Sequence, residues 1–352
     1  MNSIKNLLKI AVDKKASDIH LVVGLKPKLR IDGVLVSLKD IPELTNKAIE
    51  EIIFSIINEE QKKIFLDKRD LDFSYSLENK DRFRVNIHFE KNNFGLVARV
   101  IKEQMPTLEE INMPAITANL LNISQGLILV TGPTGCGKST TLAAMINYIN
   151  SKRNCHIVTL EDPIEFLFKP DKSIIIQRQL GADIPTFSSG LKHVLRQDPD
   201  VVMVGEMRDL ETISTTITLA ETGHLVLATL HTYSAAQTID RIIDIFPPHQ
   251  QQQVRTQLAM TLAAVVSQRL LPQIKGGRIA SREVMLNTPA VANLIRENKI
   301  AQIRTVLETN AKEGMVSLDQ DLKRLYKEKI ISKEVAQSQM HSPELLEKFK
   351  IL

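Results

Sequence analysis

Gly126-Leu127-Ile128-Leu129-Val130-Thr131-Gly132-Pro133-Thr134-Gly135-Cys136-Gly137-Lys138-Ser139-Thr140 decides the fold. Gly126–Val130 reads as a buried apolar strand, Lys138–Asn150 as a helix, and the turn between them fits G-x-x-x-x-G-K-[ST]. Each part of that turn has a physical reason. The glycines let successive backbone N–H groups face an anion with no Cβ in the way, and the helix N-terminus adds its partial positive charge. Lys138 supplies a point charge for the β and γ phosphates, and the Ser139 hydroxyl is a ligand for Mg²⁺. The expected nucleotide contacts are Gly132, Pro133, Thr134, Gly135, Cys136, Gly137, Lys138, Ser139 and Thr140. Cys136 sits at a helix N-terminus, which can lower a thiol pKa, but its preferred reading is a tolerated small residue. Small kinases, GTPases and motor ATPases share this loop, so it fixes the ligand class and leaves the output open. No N-K-x-D guanine-reading motif follows, which points to ATP.

Downstream, the apolar strands His156–Leu160, Val201–Val204 and Leu225–Leu230, with Ser173–Gln177 as a weaker candidate, alternate with helical stretches. Strands of that kind indicate a parallel sheet covered on both faces. Beyond them the chain is expected to turn helical, with Val254, Leu258, Leu262 and Val265 on one stripe and Leu318, Leu322 and Leu325 on another. The last residues, His341 to Leu352, are expected to fray.

Upstream, residues 1–103 read as a small α+β domain. A helix carries Leu7, Leu8 and Ala11. Strands follow at Asp18–Val23, Lys28–Asp32 and Val34–Leu38, with Asp32-Gly33 as a turn, then helices at Asn46–Ile57 and Glu59–Leu66. Leu71–Leu77, Arg82–Glu90 and Phe94–Ile101 are further strands, the middle one setting Arg82 and Arg84 opposite an apolar face. Pro106 breaks both periodicities, so residues 104–110 read as a linker and 111–352 as the second domain.

Two acidic clusters stand at strand ends: Glu161-Asp162-Pro163-Ile164-Glu165 and Gly205-Glu206-Met207-Arg208-Asp209. Ligands of parallel sheets bind outside the carboxyl ends of the strands, so both clusters are expected to open onto the phosphate loop. Glu206 has the placement of a residue that holds Mg²⁺ through water, although Gly205 stands where many P-loop enzymes carry Asp. Glu165 is the candidate to orient and deprotonate the attacking water. His224 and His231 flank Leu225–Leu230, and their odd separation lets both reach one site only if the strand ends between them. No third His or Cys offers metal-ligand spacing nearby.

Composition narrows the classes. The chain has 352 residues, beyond the usual size of one compact domain, and its 43% hydrophobic and 24% charged residues exclude a disordered scaffold. The net charge is only +4, with no Trp and 4% aromatics, so the stacking surface of a single-strand nucleic-acid binder is missing and no nucleic-acid partner is expected. No apolar run approaches the roughly 20 residues that span a bilayer, and charge interrupts the first apolar stretch, unlike a signal peptide. Two cysteines, Cys136 and Cys155, fit a reducing compartment, so a cytoplasmic location is expected.

With these residues in view, the sequence resembles the secretion ATPase superfamily, and within it the retraction motors of type IV pili. The likeness runs from Ala16-Ser17-Asp18-Ile19-His20 through Arg82-Phe83-Arg84-Val85-Asn86 to Gly314-Met315. Its signatures are Gly132–Ser139 (Walker A), Leu160–Phe166, Asp198–Asp209 (Walker B) and Ala220–Thr232. The resemblance implies a PAS-like α+β N-terminal domain, a RecA-like core with a helical C-terminal tail, and assembly into a hexameric ring. It implies Glu165 as catalytic carboxylate, Glu206 as the Walker B acid, His224 and His231 as the box histidines, and Arg82, Arg84 and Arg99 as arginines brought to the nucleotide. It further implies ATP and Mg²⁺ as cofactors, an inner-membrane pilus platform protein as partner, and a peripheral position at that membrane. Extension motors usually add an N-terminal domain and a four-cysteine zinc element; this chain has neither, which favours retraction. One departure is Ala292 in Ala290-Val291-Ala292-Asn293-Leu294-Ile295-Arg296-Glu297, where retraction motors typically carry Arg. It keeps an accessory retraction paralogue as an alternative, alongside an extension or type II secretion ATPase. From other classes the rivals are a small-molecule kinase, a ring-shaped nucleic-acid translocase and a nucleotide-binding scaffold without turnover.

Overall fold

The computed structural model describes residues 3–31, 33–78, 81–101 and 105–341. Asp32 of the expected Asp32-Gly33 turn, residues 102–104 at the expected domain boundary, and the tail beyond His341 lie outside them. The chain divides into two compact units, Met1–Gln104 and Met105–Leu352.

Among its described residues, the first unit is one six-stranded antiparallel sheet and three helices. Its strands are β1 (Asp18–Leu21), β2 (Lys28–Ile31), β3 (Val34–Ser37), β4 (Asp70–Ser76), β5 (Arg82–Glu90) and β6 (Asn93–Ile101), in the order β3-β2-β1-β6-β5-β4. Its helices are α1 (Ile4–Asp13), α2 (Asn46–Phe54) and α3 (Glu59–Lys68). Alternation along β5 sends Phe83, Val85 and Ile87 into a core shared with Leu7, Leu8, Ile19 and Phe65. The opposite face carries a row of charge. Arg30, Asp18, Arg99 and Arg84 are successive cross-strand partners on β2, β1, β6 and β5. Asp18, buried, sits between two of these arginines: Arg99 Nε donates to its Oδ1 at 2.8 Å, and Arg30 Nε lies 3.9 Å from its Oδ2.

The second unit is built on a seven-stranded sheet. Its strands are β7 (Gly126–Thr131), β8 (His156–Glu161), β9 (Ile174–Gln179), β10 (Val201–Val204), β11 (Leu225–Leu230), β12 (Leu262–Pro272) and β13 (Arg278–Leu286). They lie in the order β13-β12-β7-β11-β10-β8-β9, and all pairs are parallel except β12 with β13. Its helices are α4 (Ile116–Leu120), α5 (Lys138–Lys152), α6 (Phe187–Val194), α7 (Leu210–Glu221), α8 (Ala235–Asp244), α9 (Pro248–Thr261), α10 (Pro289–Arg296), α11 (Ile303–Thr309), α12 (Leu318–Lys327) and α13 (Lys333–Gln339). Two apolar clusters pack on the faces of this sheet: Leu127, Leu129 and Val158 belong to one, Ile128, Val130 and Ile157 to the other. The α/β architecture with helices ending the chain is thus as expected, with one correction. Leu262 and Val265 do not continue the stripe of Val254 and Leu258. The helix stops at Thr261, and residues 262–286 form the β12–β13 hairpin, closed by Gly276 and Gly277, both at positive φ. Leu262-Ala263-Ala264-Val265-Val266 is apolar at nearly every position, as a strand buried on both faces must be, and such a run satisfies helical spacing as well.

Candidate nucleotide site

Parallel pairing in register sets the chemistry-bearing loops along one edge of the sheet. Leu230 is partnered with Thr131, Val204 with Ala228, and Leu160 with Val204, so the turns after β7, β8, β10 and β11 leave the sheet together.

The turn after β7 requires its glycines. Gly132, at φ +142°, lies so close to β12 that a Cβ there would be 2.3 Å from the Gln268 carbonyl oxygen and 2.6 Å from Cys136 Sγ. Gly137, at φ +92°, is the N-cap of α5. Lys138 opens that helix and folds back along the loop, its Nζ donating to the carbonyls of Gly132 at 2.8 Å and Pro133 at 3.2 Å. Burial lowers its pKa from the usual lysine range, against the opposing pull of Cys136, Glu206 and Glu165. Cys136 points inward and is 3% exposed. Burial raises its thiol pKa in spite of Lys138 beside it, so the lowering expected of a helix N-terminus does not occur. Any nucleotide contact from this residue must come from its main chain.

After β10, the Glu206 carboxylate takes Arg208 Nε at 2.7 Å through Oε1 and faces His231 Nε2 at 3.4 Å through Oε2. His231 Nδ1 is 3.5 Å from Lys138 Nζ and 3.4 Å from Thr134 Oγ1. That geometry suits the tautomer whose Nε2–H donates to Glu206 while Nδ1 accepts. His224 is elsewhere. It precedes β11 at the opposite edge of the sheet, its carbonyl accepting from Gly126 N, and Nδ1 lies 3.0 Å from the Leu219 carbonyl. All six residues of β11 separate the two histidines, a span of roughly 20 Å, so within one chain only His231 reaches the loop.

After β8 the two glutamates divide. Glu161 is buried, accepting from Thr159 Oγ1 at 2.6 Å and Gln177 Nε2 at 3.0 Å. Burial raises its pKa against those hydrogen bonds and one from the Glu165 backbone, which ties the intervening turn to it. Glu165 itself is exposed, and its charge is felt at Lys138. Asp209, the last acid of the second cluster, caps α7 through Thr212 N at 2.8 Å. Arg82, Arg84 and Arg99 lie on the charged face of the first unit, where Arg99 is held by Asp18 and Arg84 Nε is 3.8 Å from Asp72. Ala292 is buried in the core on α10, while its neighbours Asn293 and Arg296 are exposed.

Among the described residues, no three His, Cys, Asp or Glu side chains gather into a metal cluster. Magnesium does not need one, since it keeps several waters and takes oxygens from phosphate. The Ser139 hydroxyl and the Glu206 carboxylate are a donor set of that sparse kind. No helix among the described residues is long and apolar enough to cross a membrane.

Reading the sequence missed Gln268, Ser267 and Arg208. Gln268 and Ser267 lie on the strand expected to be helix, and the Gly276-Gly277 pair between apolar runs was the available signal of a hairpin. Arg208 had no signal beyond its place beside Glu206.

The family described as "Type II/IV secretion system protein" matches residues 1–342. The "Type IV pilus retractation ATPase PilT" of Pseudomonas aeruginosa is 45% identical over 97% of this chain and 99% of that protein. The "Twitching motility protein" of Neisseria gonorrhoeae is 44% identical over 97% of this chain and 91% of that one. A crystal structure of the pilus retraction motor PilT with bound ADP superimposes with a TM-score of 0.92 at 42% identity, covering 99% of both chains.

Proposed function

This chain belongs to the type II/IV secretion system protein family and is an ATPase of its P-loop class, and we propose that it works as the homohexameric motor that retracts type IV pili. The observation that carries this reading is the likeness to pilus-retraction ATPases over nearly the full length of both chains. The site chemistry agrees with it. Lys138 leaves its loop carbonyls for the β and γ phosphates of ATP and neutralises charge there. Glu165, exposed at the turn after β8, orients the attacking water and takes its proton. His231 stands between the Walker A lysine and the Walker B acid, where the Nε2–H it points at Glu206 turns to the γ phosphate when ATP is bound and registers its departure. Ser139 and Glu206, the latter through water, would hold Mg²⁺, which when bound offsets phosphate charge. Arg82, Arg84 and Arg99 are delivered to the phosphates when ATP favours closure of the two units, because a ligand drives closure only by binding the closed state better. Closure passing around the ring then acts on a membrane-embedded platform protein, leaving the motor itself cytoplasmic and peripheral to the inner membrane.

The test is genetic and enzymatic together. A strain lacking this chain should accumulate surface pili and lose twitching, complementation by Lys138→Ala should fail, and the purified assembly should release phosphate from ATP without an acceptor. A deletion strain that lost its pili would make the chain an extension motor. One that retracted normally would leave an accessory role.

A further inference from the structure

Opposite its mouth, the phosphate loop has a back wall formed with β12. That wall is a buried polar seam. Ser267 Oγ meets Thr131 Oγ1 at 2.8 Å, and the next residue of β12, Gln268, is 2% exposed. Its Oε1 accepts from Thr141 Oγ1 at 2.8 Å, and its Nε2 donates to the Cys136 carbonyl at 2.8 Å. Its own main-chain oxygen is the atom that leaves no room for a side chain at Gly132.

These contacts brace the loop at three points. Thr141, a residue of the first turns of α5, has its own N–H committed to Gly137 O at 3.0 Å, so its hydroxyl is fixed in place. The Cys136 carbonyl can only accept, which sets Nε2 of the Gln268 amide toward it and leaves Oε1 to take the Thr141 hydroxyl. In a trans peptide the carbonyl and the following N–H point in opposite directions. Holding the Cys136 carbonyl toward β12 therefore turns the Gly137 N–H away from β12, toward the concave side of the loop, where N–H groups serve phosphate. We infer that Gln268 is a positioning residue for nucleotide binding, whose side-chain amide sets the Cys136–Gly137 peptide in its phosphate-binding orientation. It touches neither nucleotide nor water in this role.

The inference rests on the phosphate-loop reading, and a thiol probe separates the two. Cys136 Sγ packs under the loop, so its alkylation rate, in the full chain carrying Cys155→Ser, reports whether the loop is held. Gln268→Met removes both hydrogen bonds at similar volume, and with them the side-chain hydrogen bond that lowers the Cys136 thiol pKa, a loss that by itself would slow alkylation. Gln268→Met with Thr141→Val also removes the stranded hydroxyl, which relieves that part of any loss of fold and leaves the Cys136 carbonyl as the group without its donor. Both variants should alkylate Cys136 at least about fivefold faster and bind ATP about tenfold more weakly, the change expected for loss of one orienting hydrogen bond. The double variant should melt above Gln268→Met alone. Turnover at saturating ATP should fall less than affinity does, a split that a general loss of folding would not give. Parental alkylation rates or parental ATP affinity in the double variant would overturn the proposal. If the parent bound no ATP, the phosphate-loop reading would fall, while alkylation would still test the hold on the loop.

Discussion

His231 bridges Lys138 and Glu206: its Nδ1 is 3.5 Å from the lysine ammonium and its Nε2 is 3.4 Å from the carboxylate. One imidazole thus touches both the phosphate-binding and the acid-bearing turns. His231→Ala should lower kcat by about 10²-fold, within the range for loss of a positioned proton-handling group, with a smaller change in KM. Steady-state phosphate release over a range of ATP concentrations measures both. A raised KM with kcat unchanged would assign the ring to ground-state binding.

Glu165→Gln keeps the side-chain shape and removes the base. It should retain ATP and lower turnover roughly 10²- to 10⁴-fold. Equilibrium binding of a fluorescent ATP analogue beside a single-turnover assay decides this, and a variant that hydrolyses ATP normally would move the role to another carboxylate.

Two loop glycines should respond differently to alanine. At Gly135, φ is +78° and a new Cβ would meet nothing within 4 Å, so only backbone strain of about 1–2 kcal/mol applies and ATP affinity should fall about tenfold. At Gly132 the same Cβ collides with the Gln268 carbonyl oxygen, and binding should be lost altogether. Calorimetric titration of the two variants compares them directly.

Asp18 gives a pH dependence. Its burial acts to raise the carboxyl pKa, but hydrogen bonds from Ser17 and Arg99 and the Arg99 charge prevail, and the pKa is lowered. A carboxyl more acidic in the folded state stabilises above its unfolded pKa, about 3.9, and loses that effect as pH falls through the folded value. Asp18→Asn should therefore destabilise the first unit by about 1–3 kcal/mol at pH 7, shrinking below about pH 4. Hydrogen exchange of β1 and β6 amides reads it locally. A difference that persisted undiminished in acid would mean that charge is not its source.

Much of this site was legible because its signals are local. The phosphate loop is one contiguous motif, and apolar runs ending in Glu161 and Glu206 announce strands whose carboxyl ends face one way. What was hidden depends on pairing between distant segments. Gln268 reaches Cys136 across 132 residues of sequence, and the strand that carries it is too uniformly apolar to show its period. By contrast, β11 spans Leu225–Leu230 as expected, and that length is what sets His224 and His231 at opposite edges of the sheet.

Strand β12 also holds α13. Arg269, next to the glutamine that steadies the phosphate loop, donates from Nη1 to the Gln339 carbonyl at 3.2 Å, mooring α13. Neighbouring side chains on a strand leave by opposite faces, so one peptide unit separates the two duties. A lesion that shifts this strand will look like an ATP-binding defect and a loosened α13 at once. Only single replacements at alternating positions can separate those phenotypes.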